Sequence, residues 1–156
     1  MRHIPLFILP ILFVSGCFGP YIGSVGSTHQ HATFKVYLDG NEMNLLSPKY
    51  MVKSQHVHIE GGDTDTIHKH ATGVTLGYFF NTLNMKFDKD CFVSDDKISY
   101  CNNGDKKLKF YVNSVQNEEF GDHEIKEGEK YLISYGDNSE EEIQKQLNSI
   151  KNLDGK

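Results

Sequence analysis

The chain has 156 residues, a length that suits one domain with one modest hydrophobic core. Its 21 acidic residues outnumber the 16 Lys and Arg residues, which gives a formal net charge of −5 and a pI near 5.9. A nucleic-acid-binding domain needs a basic face, so this charge balance argues against a nucleic-acid partner. The 14 glycines are typical of a turn-rich exported domain.

Residues 1–17 have the features of an export signal. Arg2 supplies a short positive region, and the apolar run over residues 4–14 is too short to span a bilayer comfortably. The run ends in VSGC, which resembles the lipobox of bacterial-type lipoproteins. We therefore predict export and a lipid on Cys17, which would tether the domain to the outer face of the membrane by the lipid anchor alone. The alternatives are a plain secretory signal cut within residues 16–27, or an uncleaved anchor.

Residues 18–28 are rich in Gly and Ser and are predicted to form a flexible spacer. After it, residues 33–38 alternate between polar and apolar side chains, which is typical of a half-buried strand. Asp39-Gly40 is a strong signal for a tight turn, so residues 42–46 are predicted to return as the partner strand of a β-hairpin.

Residues 55–70, QHVHIEGGDTDTIHKH, contain two His-x-His pairs. Their members are His56, His58, His68 and His70. Residues two apart on a strand face the same way, so each pair points both imidazoles in one direction. If the GGDTDT segment folds as a hairpin, the two pairs converge. Val57 and Ile59 alternate with the first pair, which places those histidines on the face turned away from the core.

A third pair, His29 and His31, follows the predicted spacer, and six of the eight histidines thus lie within residues 29–70. The segment that carries His29 and His31 either closes over the same patch or binds a metal ion separately. Several neutral imidazoles in one patch suit Cu(II) or Zn(II), and copper is preferred on the affinity order and because no thiolate is offered. Asp63 and Asp65 are candidate acceptors for the ring N–H groups. The alternative is that these histidines are solvated side chains on exposed strands.

The chain after His70 changes to a helical period. Thr75 is a candidate N-cap for a helix of about ten residues that closes near Asn84. Cys91 and Cys101 then bracket two short β-prone segments around an Asp-Asp-Lys turn, which predicts a hairpin stapled by a disulfide in an oxidising compartment. A redox-active pair would use Cys-x-x-Cys spacing, and thiolate metal ligation is the other alternative.

Two further strands are predicted at residues 108–112 and 131–135, and a terminal helix in residues 139–153. The terminal helix has one apolar stripe, acidic residues at its start, and a Ser139–Glu142 pair that resembles a capping box. His123 stands alone in an acidic loop and is predicted to be structural or solvated.

The segments FYVNS at residues 110–114 and IKEGEK at residues 125–130 resemble those of small exported β-grasp domains related to the transcobalamin C-terminal domain. The whole mature chain is also similar to exported proteins of ammonia-oxidising archaea, which share HxH…HKHATG and the two-cysteine hairpin. The order of predicted elements, β-β-α-β-β plus a terminal helix, indicates an α+β fold, and the resemblance implies the same: a β-grasp-like mixed sheet with one central helix, plus a peripheral C-terminal helix. The predicted organisation is a signal in 1–17, a spacer in 18–28, the domain in 29–136 and the helical tail in 137–156.

We therefore expect an exported metal-binding module for copper, or less favourably zinc, that acts as carrier, buffer or delivery partner. The alternative is a non-catalytic domain that binds another envelope protein, with incidental histidines. Convergence of the histidines on one patch would favour the first hypothesis. An enzyme is not expected, because the sequence has no nucleophile motif and no phosphate loop. Glu60 is the one acid near the histidines that is suited to act as a general base.

Overall fold

The structure is a computed structural model that describes residues 21–153. The predicted signal, the lipobox and Cys17 lie outside these residues. Within them the chain forms two helices, a mixed sheet of seven strands and a separate sheet of three strands. The predicted α+β fold class is confirmed.

The strands in chain order are β1 (Gln30–Leu38), β2 (Asn41–Glu42), β3 (Val57–Glu60), β4 (Asp63–Lys69), β5 (Lys86–Phe87), β6 (Cys91–Val93), β7 (Ser99–Cys101), β8 (Lys107–Val112), β9 (Val115–Gln116) and β10 (Lys130–Gly136). The helices are α1 (Leu76–Thr82) and α2 (Glu140–Ser149), with 3-10 turns at Pro48–Tyr50 and Phe120–Asp122.

The first and last long strands, β1 and β10, lie side by side and parallel at the centre of the large sheet. The strand order is β3-β4-β1-β10-β8-β9, with β2 paired to β1, and every other pairing is antiparallel. With α1 packed across one face, this is the arrangement of a β-grasp sheet. The YLISY segment of β10 is buried throughout, because helices cover the sheet on both faces at its centre.

The core lies between the sheet and α1. Phe34 of β1 packs edge-to-face on Phe79 and Phe80 of the helix, with ring centroids 5.4 and 6.2 Å apart. The Thr75 hydroxyl accepts a hydrogen bond from Tyr78 N and caps the helix as predicted. The helix is shorter than expected, seven residues, because Asn84 takes a left-handed conformation with φ of 60°.

The terminal helix α2 covers part of the opposite face, where Ile143 and Ile150 pack on Leu132 of β10. Its predicted capping box is present: Glu142 N donates to the Ser139 hydroxyl, and Ser139 N donates to the Glu142 carboxylate. The helix contacts β1 and β10. The end of that face formed by β4 and β3 carries the histidines described below.

The first hairpin turns at Asp39 and Gly40 as predicted, with φ of 50° and 78°, the pattern of a type I′ turn. Its return strand is shorter than the predicted residues 42–46, because ladder pairing ends at Glu42. A last hydrogen bond joins Met43 N to Val36 O, and the chain then leaves the sheet toward the 3-10 turn that begins at Pro48. Proline has no N–H to continue a ladder.

The predicted disulfide is confirmed. Cys91 and Cys101 are directly opposite each other on β6 and β7, and their sulfurs are bonded. The hairpin belongs to the small sheet β5-β6-β7, which is not part of the ladder that carries the histidines. Its turn is closed by the backbone bonds Ser94 N to Ile98 O and Lys97 N to Ser94 O.

Candidate metal centre

Three histidines form one row across three adjacent strands. In the antiparallel pairing His31 of β1 lies directly opposite His68 of β4, and His68 lies opposite His58 of β3. The neighbours of this row along the strands, such as Ala32 and Val57, are buried in the core. Because side chains alternate along a strand, the three imidazoles therefore stand together on the face away from α1.

Two more histidines extend the row by one step. His70 follows β4, where its N–H donates to His56 O and its carbonyl accepts from Gly26 N at 2.7 Å. His29 immediately precedes β1. The imidazole of His29 is 4.9 Å from that of His70 and 4.8 Å from that of His31, measured between ring centroids.

The five imidazoles form a closed series, each next to two others, which we call the histidine ring. Its members are His29, His31, His68, His58 and His70, with successive centroid distances of 4.8, 4.7, 5.9, 5.0 and, from His70 back to His29, 4.9 Å. Two of the three predicted pairs are complete in this ring, and one member of the third is present.

His56 stands apart from the ring. The chain bends at Gln55 and His56 before β3 begins, so the rule that residues two apart share a face does not hold there. The His56 Nδ1 lies 3.1 Å from the Tyr78 hydroxyl on α1. His56 is therefore hydrogen-bonded to the core helix, whereas its partner His58 faces the other histidines.

Part of the ring is already close to the spacing that a metal ion requires. One nitrogen from each of His29, His31 and His68 lies within 4.8 Å of the other two. Ligand atoms on a tetrahedral ion with bonds of about 2.0 Å are about 3.3 Å apart, so the three nitrogens would have to approach one another by up to about 1.5 Å to share one ion. Three imidazoles leave a fourth position open for water or for a further ligand.

Burial favours the neutral, metal-binding form of two ring members. Desolvation lowers the pKa of His68, and the neighbouring histidines act in the same direction, against the Glu60 carboxylate. Desolvation also lowers the pKa of His70, helped by the proximity of His58 and His29. A neutral imidazole keeps the lone pair that a metal ion needs.

The hydrogen bond of His58 defines its tautomer. Its Nδ1 is 2.8 Å from Ser54 O, and a carbonyl oxygen only accepts, so Nδ1 carries the proton. The lone pair of the neutral ring is then on Nε2. That nitrogen lies 3.3 Å from the Glu60 carboxylate, whose other oxygen is 3.7 Å from His68 Nδ1.

The acids expected to orient the histidines bind elsewhere. Asp63 accepts from the Thr66 hydroxyl at 2.9 Å and pairs with Lys151, while Asp65 pairs with Lys35 at 2.9 Å. The acid beside the ring is Glu60, which lies two residues beyond His58 on β3 and so points to the same face.

The start of β1 and the end of β4, which carry the ring, are anchored by hydrogen bonds from backbone N–H groups. His31 N donates to the Glu127 carboxylate at 2.7 Å, and Gly128 N donates to His31 O. Gly23 N donates to Thr72 O at 3.0 Å, and Gly26 to the His70 carbonyl. The described part of the predicted spacer, residues 21–28, therefore lies against the domain next to the ring.

Lys69 is an anchor that the sequence analysis missed. It lies between His68 and His70 but points to the core, where it is 1% exposed. Its Nζ donates to the Glu124 carboxylate at 2.8 Å and to Ile125 O at 2.6 Å. The alternation of side chains on β4 was the available signal, since it places Lys69 on the core face when both neighbours are outside.

Of the two alternatives predicted for His123, structural or solvated, the structure shows the first. It is 3% exposed, and its two ring nitrogens contact Glu119 at 2.6 Å and Glu129 at 2.8 Å. The same Glu129 oxygen accepts from the Tyr131 hydroxyl at 2.6 Å. These bonds join the loop before β10 to the core.

No protein-family model, curated protein or solved structure matches this chain. The resemblance to exported β-grasp proteins therefore stays a prediction. Neither helix in residues 21–153 is long and apolar enough to cross a membrane.

Proposed function

We propose that this protein is an exported metal-binding module that holds Cu(II), and less tightly Zn(II), in the histidine ring. The observation that carries the proposal is the convergence of five histidines on one face, three of them with nitrogens within 4.8 Å. Scattered histidines would have favoured an interaction domain with incidental imidazoles.

The donor set supports copper over zinc. Both cysteines within residues 21–153 are joined in the disulfide, so the described part of the chain offers imidazole and carboxylate but no thiolate. Imidazole sites bind Cu(II) more tightly than Zn(II) on the usual affinity order. The disulfide also fits an oxidising compartment, which agrees with the export signal read from residues 1–17.

A role as carrier, buffer or delivery partner fits the position of the ring. His29 is exposed, and His31 and His70 are half-buried, so an ion bound there stays accessible to a second protein. With a lipid on Cys17, the ring would begin twelve residues beyond the membrane anchor, at His29, where an envelope partner could collect or supply the ion.

The test is a calorimetric titration of the leaderless chain, residues 18–156, with Cu(II) and Zn(II) at pH 7. We expect tight Cu(II) binding that weakens by at least about 100-fold, about 2.8 kcal/mol, in His29→Ala/His31→Ala/His68→Ala. The matched control is His56→Ala, which removes a nearby histidine outside the ring and should keep full affinity. Equal, weak binding by all three proteins would contradict the proposal.

A further inference from the structure

The histidine ring offers more ligand atoms than one ion can use. A tetrahedral ion takes four ligands, whereas the ring has five imidazoles with the Glu60 carboxylate beside them. The three histidines whose nitrogens lie within 4.8 Å of one another are His29, just before β1, His31 on β1 and His68 on β4. His58 and His70 are left over on the β3 side, with ring centroids 5.0 Å apart.

His58 and Glu60 are arranged as two ligands that face a cation. The proton on His58 Nδ1 is committed to Ser54 O, so Nε2 is the nitrogen left to bind an ion, and it lies 3.3 Å from a Glu60 carboxylate oxygen. An imidazole lone pair and a carboxylate in contact repel each other unless a proton or a metal ion lies between them. His58 is 8% exposed, so water screens this repulsion poorly.

The distance between the two atoms agrees with shared ligation. A hydrogen bond from an imidazolium to a carboxylate is typically 2.7–2.9 Å long, shorter than the 3.3 Å between His58 Nε2 and Glu60. Two ligand atoms on one tetrahedral ion, with bonds of about 2.0 Å, are about 3.3 Å apart.

We infer that the histidine ring takes two metal ions, the second bound by His58 Nε2, the Glu60 carboxylate and His70. This inference rests on the proposed function, since the first ion occupies His29, His31 and His68. The second position has two imidazoles and one carboxylate, a donor set that takes Cu(II) or Zn(II). Its backbone is held by the bonds of His70 to His56 and Gly26.

The two positions adjoin each other at His68. The second Glu60 oxygen is 3.7 Å from His68 Nδ1, and the stacked rings of His58 and His68 are 5.9 Å apart. Two Cu(II) ions held this close broaden each other's electron paramagnetic resonance lines. The resonance signal therefore separates a paired site from two remote ones.

The experiment measures Cu(II) bound per chain after desalting, with the electron paramagnetic resonance spectrum at one and two equivalents. We expect two ions in the wild type with mutual broadening, and one ion in Glu60→Gln. Glu60 is half-exposed, and the Gln side chain that replaces it has the same shape, so this variant should fold. His29→Ala/His31→Ala should retain one ion, at the His58 position. Circular dichroism checks the fold of each variant.

The outcomes separate this inference from the proposed function. One ion in the wild type that survives Glu60→Gln and is lost in His29→Ala/His31→Ala overturns the second position and leaves the first. Two ions in Glu60→Gln, or two without line broadening, also overturn the assignment. Binding of no ion at all overturns both proposals.

Discussion

The buried charge of Lys69 shows how a single residue supports the site without belonging to it. Its side chain crosses to the core face and joins β4 to Glu124 and Ile125 in the loop before β10. The same Glu124 oxygen accepts from Gly73 N at 2.8 Å, so one carboxylate ties together the end of β4 and the approach to α1. Because Lys69 lies between His68 and His70, this anchor helps to hold the register of the ring.

We predict that Glu124→Gln lowers the free energy of unfolding by about 1–2 kcal/mol at pH 7. Removing one partner of a fully buried pair costs about 3–5 kcal/mol, and the half exposure of Glu124 reduces that cost. The control is Glu141→Gln on α2, an exposed ion-pair partner of Lys145 whose loss should stay within about 0.5 kcal/mol. Urea unfolding measures both.

The same variant has a pH signature. The hydrogen bond from Lys69, followed by that from Gly73 N, lowers the pKa of Glu124 below its ordinary value. A carboxyl with a lowered pKa in the folded state stabilises above its unfolded pKa of about 4.3, and the contribution is lost as the pH falls through the folded value. The stability difference between wild type and Glu124→Gln should be constant from pH 7 to 5 and shrink below pH 4. A difference that grows on acidification would contradict this origin.

At the scale of elements, the chain keeps stabilisation and ligand binding in different places. The disulfide closes the β6–β7 hairpin in the small sheet, while the ring is carried by β1, β3 and β4 of the large sheet. The hairpin packs into the same core through Phe92, which contacts Phe80 of α1 at 5.2 Å between ring centroids.

We therefore predict that Cys91→Ser/Cys101→Ser destabilises the fold without changing the number of metal ions bound. Loss of a crosslink that closes a loop of this length costs about 2–3 kcal/mol. Thermal unfolding should shift down, while Cu(II) binding below the new midpoint should keep its stoichiometry. A loss of metal from the folded variant would show that the hairpin contributes to the site.

Elements whose signal is local were predicted well. The Asp39-Gly40 turn, the Thr75 cap, the Ser139–Glu142 capping box and the cysteine hairpin each depend on residues close together in the sequence. Their ends were less accurate. The return strand after Gly40 and the helix after Thr75 are both shorter than predicted: the strand pairs only as far as Glu42, and the helix ends before the left-handed Asn84.

For the whole molecule, metal binding should be coupled to folding. The histidines of the ring lie on or next to three different strands, β1, β3 and β4. They come together only when these strands pair, so the site does not exist in the unfolded chain. A ligand that binds only the folded state adds about 2.7 kcal/mol of stability at a hundred times its dissociation constant.

We predict that Cu(II) raises the midpoint of thermal unfolding and that a chelator reverses the rise. The effect should persist in His56→Ala and shrink in His29→Ala/His31→Ala/His68→Ala, which keeps only the second position, at His58, Glu60 and His70. Differential scanning calorimetry measures the midpoints, each with and without metal. A rise in the triple variant as large as that of the wild type would show that His29, His31 and His68 do not contribute to the stabilisation.

The sequence by itself determined the ingredients of this site. Histidines two apart on predicted strands, separated by a glycine turn, are enough to place His58, His68 and His70 on one face, because strand periodicity is local. The fold class also followed from the order of elements, and the disulfide from the pairing of two cysteines across a short hairpin.

Only the tertiary structure decided which residues meet. The parallel pairing of β1 with β10 and its antiparallel pairing with β4 bring His31 against His68 across 36 intervening residues, and no local pattern encodes that register. The bend before β3 turned His56 toward Tyr78 on α1, and ion pairs with Lys151 and Lys35 took Asp63 and Asp65 away from the ring. Each is set by long-range pairing and burial, which act between distant parts of the chain.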